Sequence, residues 1–247
     1  MTRLVLLSGW GVDARIWQPL AAHWPGELSV TAPDWPGHGA RTPLVAPASL
    51  TELAEAMAVD LPAQAVWVGW SLGGLLAATL LAHHLSPPRG LILLGMGQRF
   101  RDPAGVGAAE LTAFRRAFAR DPDATLAHFQ RWQLGGEPSP RDAHRRLRAL
   151  LGEGPPPDPA SLAAGLDWLA ELDATAVLAA PPCPIRRLAG ARDPLLSPAA
   201  IADADRVLEH TGHCPMLSRP VALAEALTAL AVAMTPRRPA LSEGASS

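Results

Sequence analysis

Short apolar runs alternate with segments of helical periodicity through the first part of this chain. That alternation limits the fold more than any other feature. Residues 4–7, 28–32, 65–68 and 91–94 read as buried strands, and residues 13–23 and 72–83 as helices. Ser49 stands where a helix cap belongs, with Glu52 placed to complete a capping box. Strands that are apolar on both faces and separated by helices pair in parallel, with helices packed on each side. The expected class is therefore α/β, with a mostly parallel sheet.

The rhythm breaks near Gln98. From Glu110 to about Leu172 the pattern is helical, interrupted by the loops "GGEPSP" and "GEGPPPDP". Arginines are dense there, at positions 115, 116, 120, 131, 141, 145, 146 and 148. Strand character returns at 185–188 and briefly at 205–208, and 220–234 reads as a closing helix. The expected organisation is a core of residues 1–98 and 176–235, a helical lid inserted at 99–175, and a disordered tail at 236–247.

Composition removes several function classes. Net charge is −2 and the isoelectric point about 6.4, which gives no electrostatic footprint for nucleic acid or an anionic membrane. All 21 basic residues are arginine, a bias read as genomic rather than chemical. Cys183 and Cys214 lie far apart without metal-ligand spacing, so neither a disulfide framework nor a metal site is expected. The first apolar run is too short for a signal core, and no window approaches a membrane span of roughly 18 apolar residues. A cytoplasmic monomer is the expectation.

The stretch "VWVGWSLGGLLAATLL" places a serine between a strand and a helix. Gly69-Trp70-Ser71-Leu72-Gly73 fits G-x-S-x-G with the strand–turn–helix context that the motif requires. A serine hydroxyl is a weak nucleophile unless it is exposed, positioned and deprotonated by a neighbour. A tight turn lifts it clear of the sheet, and the glycines at 69, 73 and 74 let the chains approach closely. The helix start behind it offers free N–H groups to a developing oxyanion.

Such a serine needs a base and an orienting acid, expected downstream in the order serine, acid, histidine. His83, His84, His128 and His144 fall on helices. His213 and its competitor His210 share the loop "EHTGHCPMLSRP", ahead of the last helix, and His213 is favoured. For the acid, Asp193 in "LAGARDPLLSP" directly follows a strand, whereas Asp173 and Asp203 do not. The oxyanion donors are expected to be the N–H of Leu72 and that of Trp10 in "LLSGWG".

With these motifs in order, the chain is similar to the α/β-hydrolase superfamily, and within it to the pimeloyl-[acyl-carrier-protein] methyl ester esterases of biotin synthesis. The carrying stretches are "LVLLSGWGVDARIWQPL", "DWPGHGAR", "VWVGWSLGGLLA", "GARDPLLSP" and "TGHCPMLSRP". The resemblance implies an α/β-hydrolase fold, a triad of Ser71, Asp193 and His213, and substrate contacts at Trp10 and Leu72. In "HFQRWQLGG" it implies that Phe129 and Gln133 line the acyl pocket. In "SPRDAHRRL" it places Arg141 and Arg145 where an acidic carrier protein docks, while Ala124 and His128 replace two further arginines. Ser8 stands where many members carry histidine. No cofactor or metal is implied. The alternatives are a short-chain carboxylesterase of other substrate, a related lyase, and a hydrolase-fold protein that binds a ligand without turnover.

Overall fold

The computed structural model describes residues 2–45, 48–83, 86–152 and 154–234. The tail expected to be disordered, and His84, lie outside them. Six strands form one sheet: β1 (Thr2–Leu7), β2 (Leu28–Thr31), β3 (Ala65–Trp70), β4 (Gly90–Leu94), β5 (Ile185–Gly190) and β6 (Arg206–Leu208). Their order is β2-β1-β3-β4-β5-β6 and every pairing is parallel, so "mostly parallel" becomes wholly parallel among the described residues.

Period-two alternation splits the strand side chains between two cores. Val5, Leu7, Trp67, Leu91 and Leu93 face one side, with α1 (Leu50–Met57) and α2 (Leu72–Leu80). Leu4, Leu6, Val66, Val68, Ile92 and Leu94 face the other, with the segment Ala14–His23 and α10 (Pro220–Met234). The two central strands β3 and β4, covered on both faces, are accordingly buried throughout, whereas β2 at the sheet edge carries Ser29 and Thr31.

Some boundaries differ from the sequence reading. Strands β3 and β5 each run two residues further, through Trp70 and Gly190. Ala14–His23 is a 3-10 helix rather than an α-helix, with Pro19 inside it; proline has no N–H to donate and crowds the preceding turn. The capping box at α1 forms as read: Ser49 Oγ accepts the Glu52 N–H, and the Glu52 carboxylate accepts the Ser49 N–H.

Between β4 and β5 come α3 (Ala108–Arg120), α4 (Pro122–Trp132), α5 (Pro140–Leu151), α6 (Pro159–Glu171) and the short α7 (Thr175–Ala179). After β5 come the short α8 (Pro198–Ala202) and α9 (Pro215–Ser218). The chain leaves β1 toward β2 on one side, and all later strands add on the other. The loops after β1 and β3 therefore open side by side at the carboxyl ends of adjacent strands. Such a switch point is where open α/β sheets bind ligands.

Candidate active site

Ser71 sits at the tip of the β3–α2 turn with φ 55° and ψ −125°. A non-glycine residue there costs on the order of 1–3 kcal/mol and persists only where its surroundings force it. Here they do. The Ser71 N–H donates to the Leu94 carbonyl at 2.9 Å, and its own carbonyl accepts from Gly74 and Leu75. The flanking glycines are obligatory: a methyl on Gly69 would sit 2.7 Å from the Gly74 nitrogen, and one on Gly73 would sit 2.7 Å from the Leu7 carbonyl oxygen. Gly69→Ala is therefore expected to destabilise the fold by about 1–3 kcal/mol through overpacking against backbone. A lower urea midpoint at unchanged slope checks this.

His213 and Asp193 come together from the loops after β6 and β5. His213 Nδ1 lies 2.7 Å from Asp193 Oδ2, with both side chains buried. Asp193 Oδ1 accepts the Leu195 N–H at 2.9 Å. Because a carboxylate only accepts, the proton rests on Nδ1, and the lone pair of Nε2 is left free. Nε2 is itself buried and without a hydrogen-bond partner. The rival residues go elsewhere. His210 is exposed, with its ring 3.4 Å from Arg192. Asp173 pairs with Arg99, and Asp203 with Arg187.

The β1 loop lies against the serine. A methyl on Gly9 would sit 3.1 Å from Ser71 Cβ. Trp35 Nε1 holds this loop by donating to the Ser8 carbonyl at 2.9 Å, and the Trp10 indole N–H donates to the Leu162 carbonyl of α6 at 2.8 Å. Neither bond uses the Trp10 backbone N–H. Leu72 opens α2, so its N–H has no acceptor within its own helix.

Phe129 packs edge-on to Trp10 at 5.0 Å, with Phe114 and Phe118 also against the indole. Two small apolar cavities flank Trp10. One, of about 40 Å³, is bordered by Gly9, Trp35, Leu72 and Trp168, and the other, of about 10 Å³, by Phe114, Phe129 and Leu166. Gln133 borders neither; it is buried with both side-chain amide atoms unpartnered. Arg141 and Arg145 are exposed on α5, where Arg145 pairs with Asp142 at 2.7 Å. Arg115 and Arg146 are occupied, by Asp167 and by the Leu217 carbonyl.

Two residues at the site were missed in the sequence. Gly95 (φ 60°) follows β4; a methyl there would lie 3.1 Å from His213 Nδ1 and 3.2 Å from Asp193 Oδ2. A glycine closing an apolar strand was the available signal. Glu137, in a loop read only as a turn, is buried with its Oε1 accepting the Cys214 N–H. Burial pushes the Cys183 thiol up to about 11 and the Cys214 thiol well above its ordinary value, so neither offers a thiolate nucleophile. Among the described residues no cluster of three or more His, Cys, Asp or Glu could hold a metal, and no helix is long and apolar enough to cross a membrane.

A serine strained at the strand–helix turn of a parallel sheet, with a buried histidine–carboxylate pair from later loops, defines a hydrolase of the α/β type. Residues 4–226 match the Alpha/beta hydrolase family, and the chain belongs to it. More particularly, it is 33% identical over 239 residues to a protein of Vibrio vulnificus strain CMCP6 named pimeloyl-[acyl-carrier protein] methyl ester esterase, covering 92% of this chain and 93% of the relative. A protein of Aromatoleum aromaticum with the same name is 36% identical over 234 residues, covering 88% and 93%. Among solved structures, a thermophilic esterase from Thermogutta terrifontis superposes with a TM-score of 0.76 at 20% identity, covering 96% of this chain and 91% of that one, a likeness of fold.

Proposed function

We propose that this chain hydrolyses carboxylic esters through an acyl-enzyme on Ser71, and that its substrate is the methyl ester of pimeloyl-[acyl-carrier protein] in biotin synthesis. The observation that supports the chemistry is the buried His213–Asp193 pair, in which Asp193 takes Nδ1 and Nε2 has no hydrogen-bond partner, together with the strained turn that carries Ser71. His213 Nε2 takes the Ser71 proton as Oγ attacks the ester carbonyl. The N–H groups of Trp10 and Leu72 stabilise the oxyanion. His213 then gives its proton to the departing methoxide, which leaves as methanol. Water, deprotonated by His213, releases the acid and restores Ser71. No metal or organic cofactor takes part in this scheme. The substrate reading rests on the relatives' names. The exposed Arg120, Arg131, Arg141 and Arg145 supply cations for an acidic carrier.

A second reading, a small-ester carboxylesterase, is favoured by the cavities beside Trp10. At about 40 and 10 Å³ they hold about three water sites and one, a space that suits a short acyl group. The test compares p-nitrophenyl acetate with pimeloyl-[acyl-carrier protein] methyl ester on the wild-type protein. A much higher kcat/KM for the carrier-bound ester is the expected result. Turnover of the short ester alone would move the assignment to the second reading. No turnover of either by folded protein would sink both.

A further inference from the structure

The loop between α4 and α5 carries a carboxylate that the scheme above does not use. Glu137 is only 4% exposed. Its Oε1 accepts the Cys214 N–H at 2.7 Å, and its Oε2 is buried without a hydrogen-bond partner. Burying a carboxylate on so few hydrogen bonds is costly, and the cost marks the position as one with a job.

The place of that bond suggests the job. The Cys214 N–H belongs to the same peptide plane as the His213 carbonyl, and that carbonyl accepts the Trp70 indole N–H at 2.8 Å. One peptide group is thus held at its oxygen by Trp70 and at its N–H by Glu137, while Asp193 holds the imidazole itself. The rotations on either side of this plane set where Nε2 points. The loop has no room to slide. A methyl on Gly136 would collide with the Arg192 carbonyl, and one on Gly212 would sit 3.0 Å from both the Glu137 nitrogen and its Oε1. The loop between α4 and α5 therefore touches both loops that bear the histidine and the acid.

We infer that Glu137 is a positioning residue for His213, acting through its hydrogen bond to the following peptide. The inference rests on His213 being the base of the proposed reaction. What matters is the acceptor and its reach, and two conservative variants separate these from charge. Glu137→Gln keeps an acceptor oxygen at the same reach and loses the charge; Glu137→Asp keeps the charge and shortens the reach by one methylene.

The experiment measures kcat and KM for p-nitrophenyl acetate, with a melting curve for each variant. Expected are a kcat within about threefold of wild type for Glu137→Gln, and a kcat lowered about 10- to 100-fold at nearly unchanged KM for Glu137→Asp, since a displacement near 1 Å costs that much. Trp70→Phe frees the other end of the same peptide. It carries the same kcat signature and decides the matter if Glu137→Asp does not fold. Wild-type kcat in Glu137→Asp and Trp70→Phe would overturn the inference, as would equal loss in Glu137→Gln and Glu137→Asp. A folded wild type that leaves p-nitrophenyl acetate intact would instead bring down the hydrolase reading, and this one with it.

Discussion

Ser71→Ala is expected to lower kcat for ester hydrolysis by about 10⁶-fold, the loss typical when the nucleophile of a serine triad is removed. Without Oγ no acyl-enzyme forms, and only the oxyanion donors and ground-state binding remain to help water attack. The fold survives the change, because what Ser71 contributes to the turn is backbone: its N–H to Leu94 and its carbonyl to Gly74 and Leu75. Ser71→Gly tests a second part of the argument. Glycine adopts φ 55° without the steric cost that serine bears, so this variant is expected to melt above Ser71→Ala while being equally inactive. The checks are p-nitrophenyl acetate turnover and thermal melting on the same preparations. A Ser71→Ala protein that keeps more than about a hundredth of wild-type kcat would sink the acyl-enzyme scheme.

The sheet was legible because its signals are local. An apolar run between turn residues declares a buried strand whatever it pairs with, and β1, β3 and β4 were placed to within two residues. Where tertiary context decides, the sequence reading fell short. The segment Ala14–His23 packs against α10 as a 3-10 helix with Pro19 inside it, a form that its apolar periodicity did not distinguish from an α-helix. The choice of Asp193 over Asp173 and Asp203 was readable from strand context, whereas His213 and His210 share one loop and it is the contact of His213 with Asp193 that separates them. Glu137 was not readable. A glutamate between two glycines and a proline looks like a solvated turn, and only the three-dimensional closure onto Cys214 shows it buried. Gln133 is a second buried polar residue in the same region. Family resemblance placed it at an acyl pocket; it is buried with both amide atoms unpartnered, which periodicity alone did not predict for a glutamine.

Asp193→Asn is expected to lower kcat by about 10⁴-fold with the fold intact, and the reason lies in its two oxygens. Oδ1 accepts the Leu195 N–H at 2.9 Å, and Oδ2 faces His213 Nδ1 at 2.7 Å. An asparagine must keep its one carbonyl oxygen toward the Leu195 donor, or leave that N–H opposed by an NH2. Its amide nitrogen then points at His213 Nδ1, which can only answer as an acceptor. The ring proton moves to Nε2, and the nitrogen that should remove the Ser71 proton no longer has a lone pair to do it. Loss of the negative charge further destabilises the imidazolium that forms during attack. The defect is thus one of tautomer and charge, not of binding, so kcat falls while KM for p-nitrophenyl acetate stays within about threefold. Asp203→Asn, made in parallel, removes an exposed partner of Arg187 and is expected to leave both constants unchanged. If Asp193→Asn loses less than about tenfold, or if Asp203→Asn loses as much, then the carboxylate that orients His213 has been misassigned, and with it the sense in which Nε2 is free to act as the base.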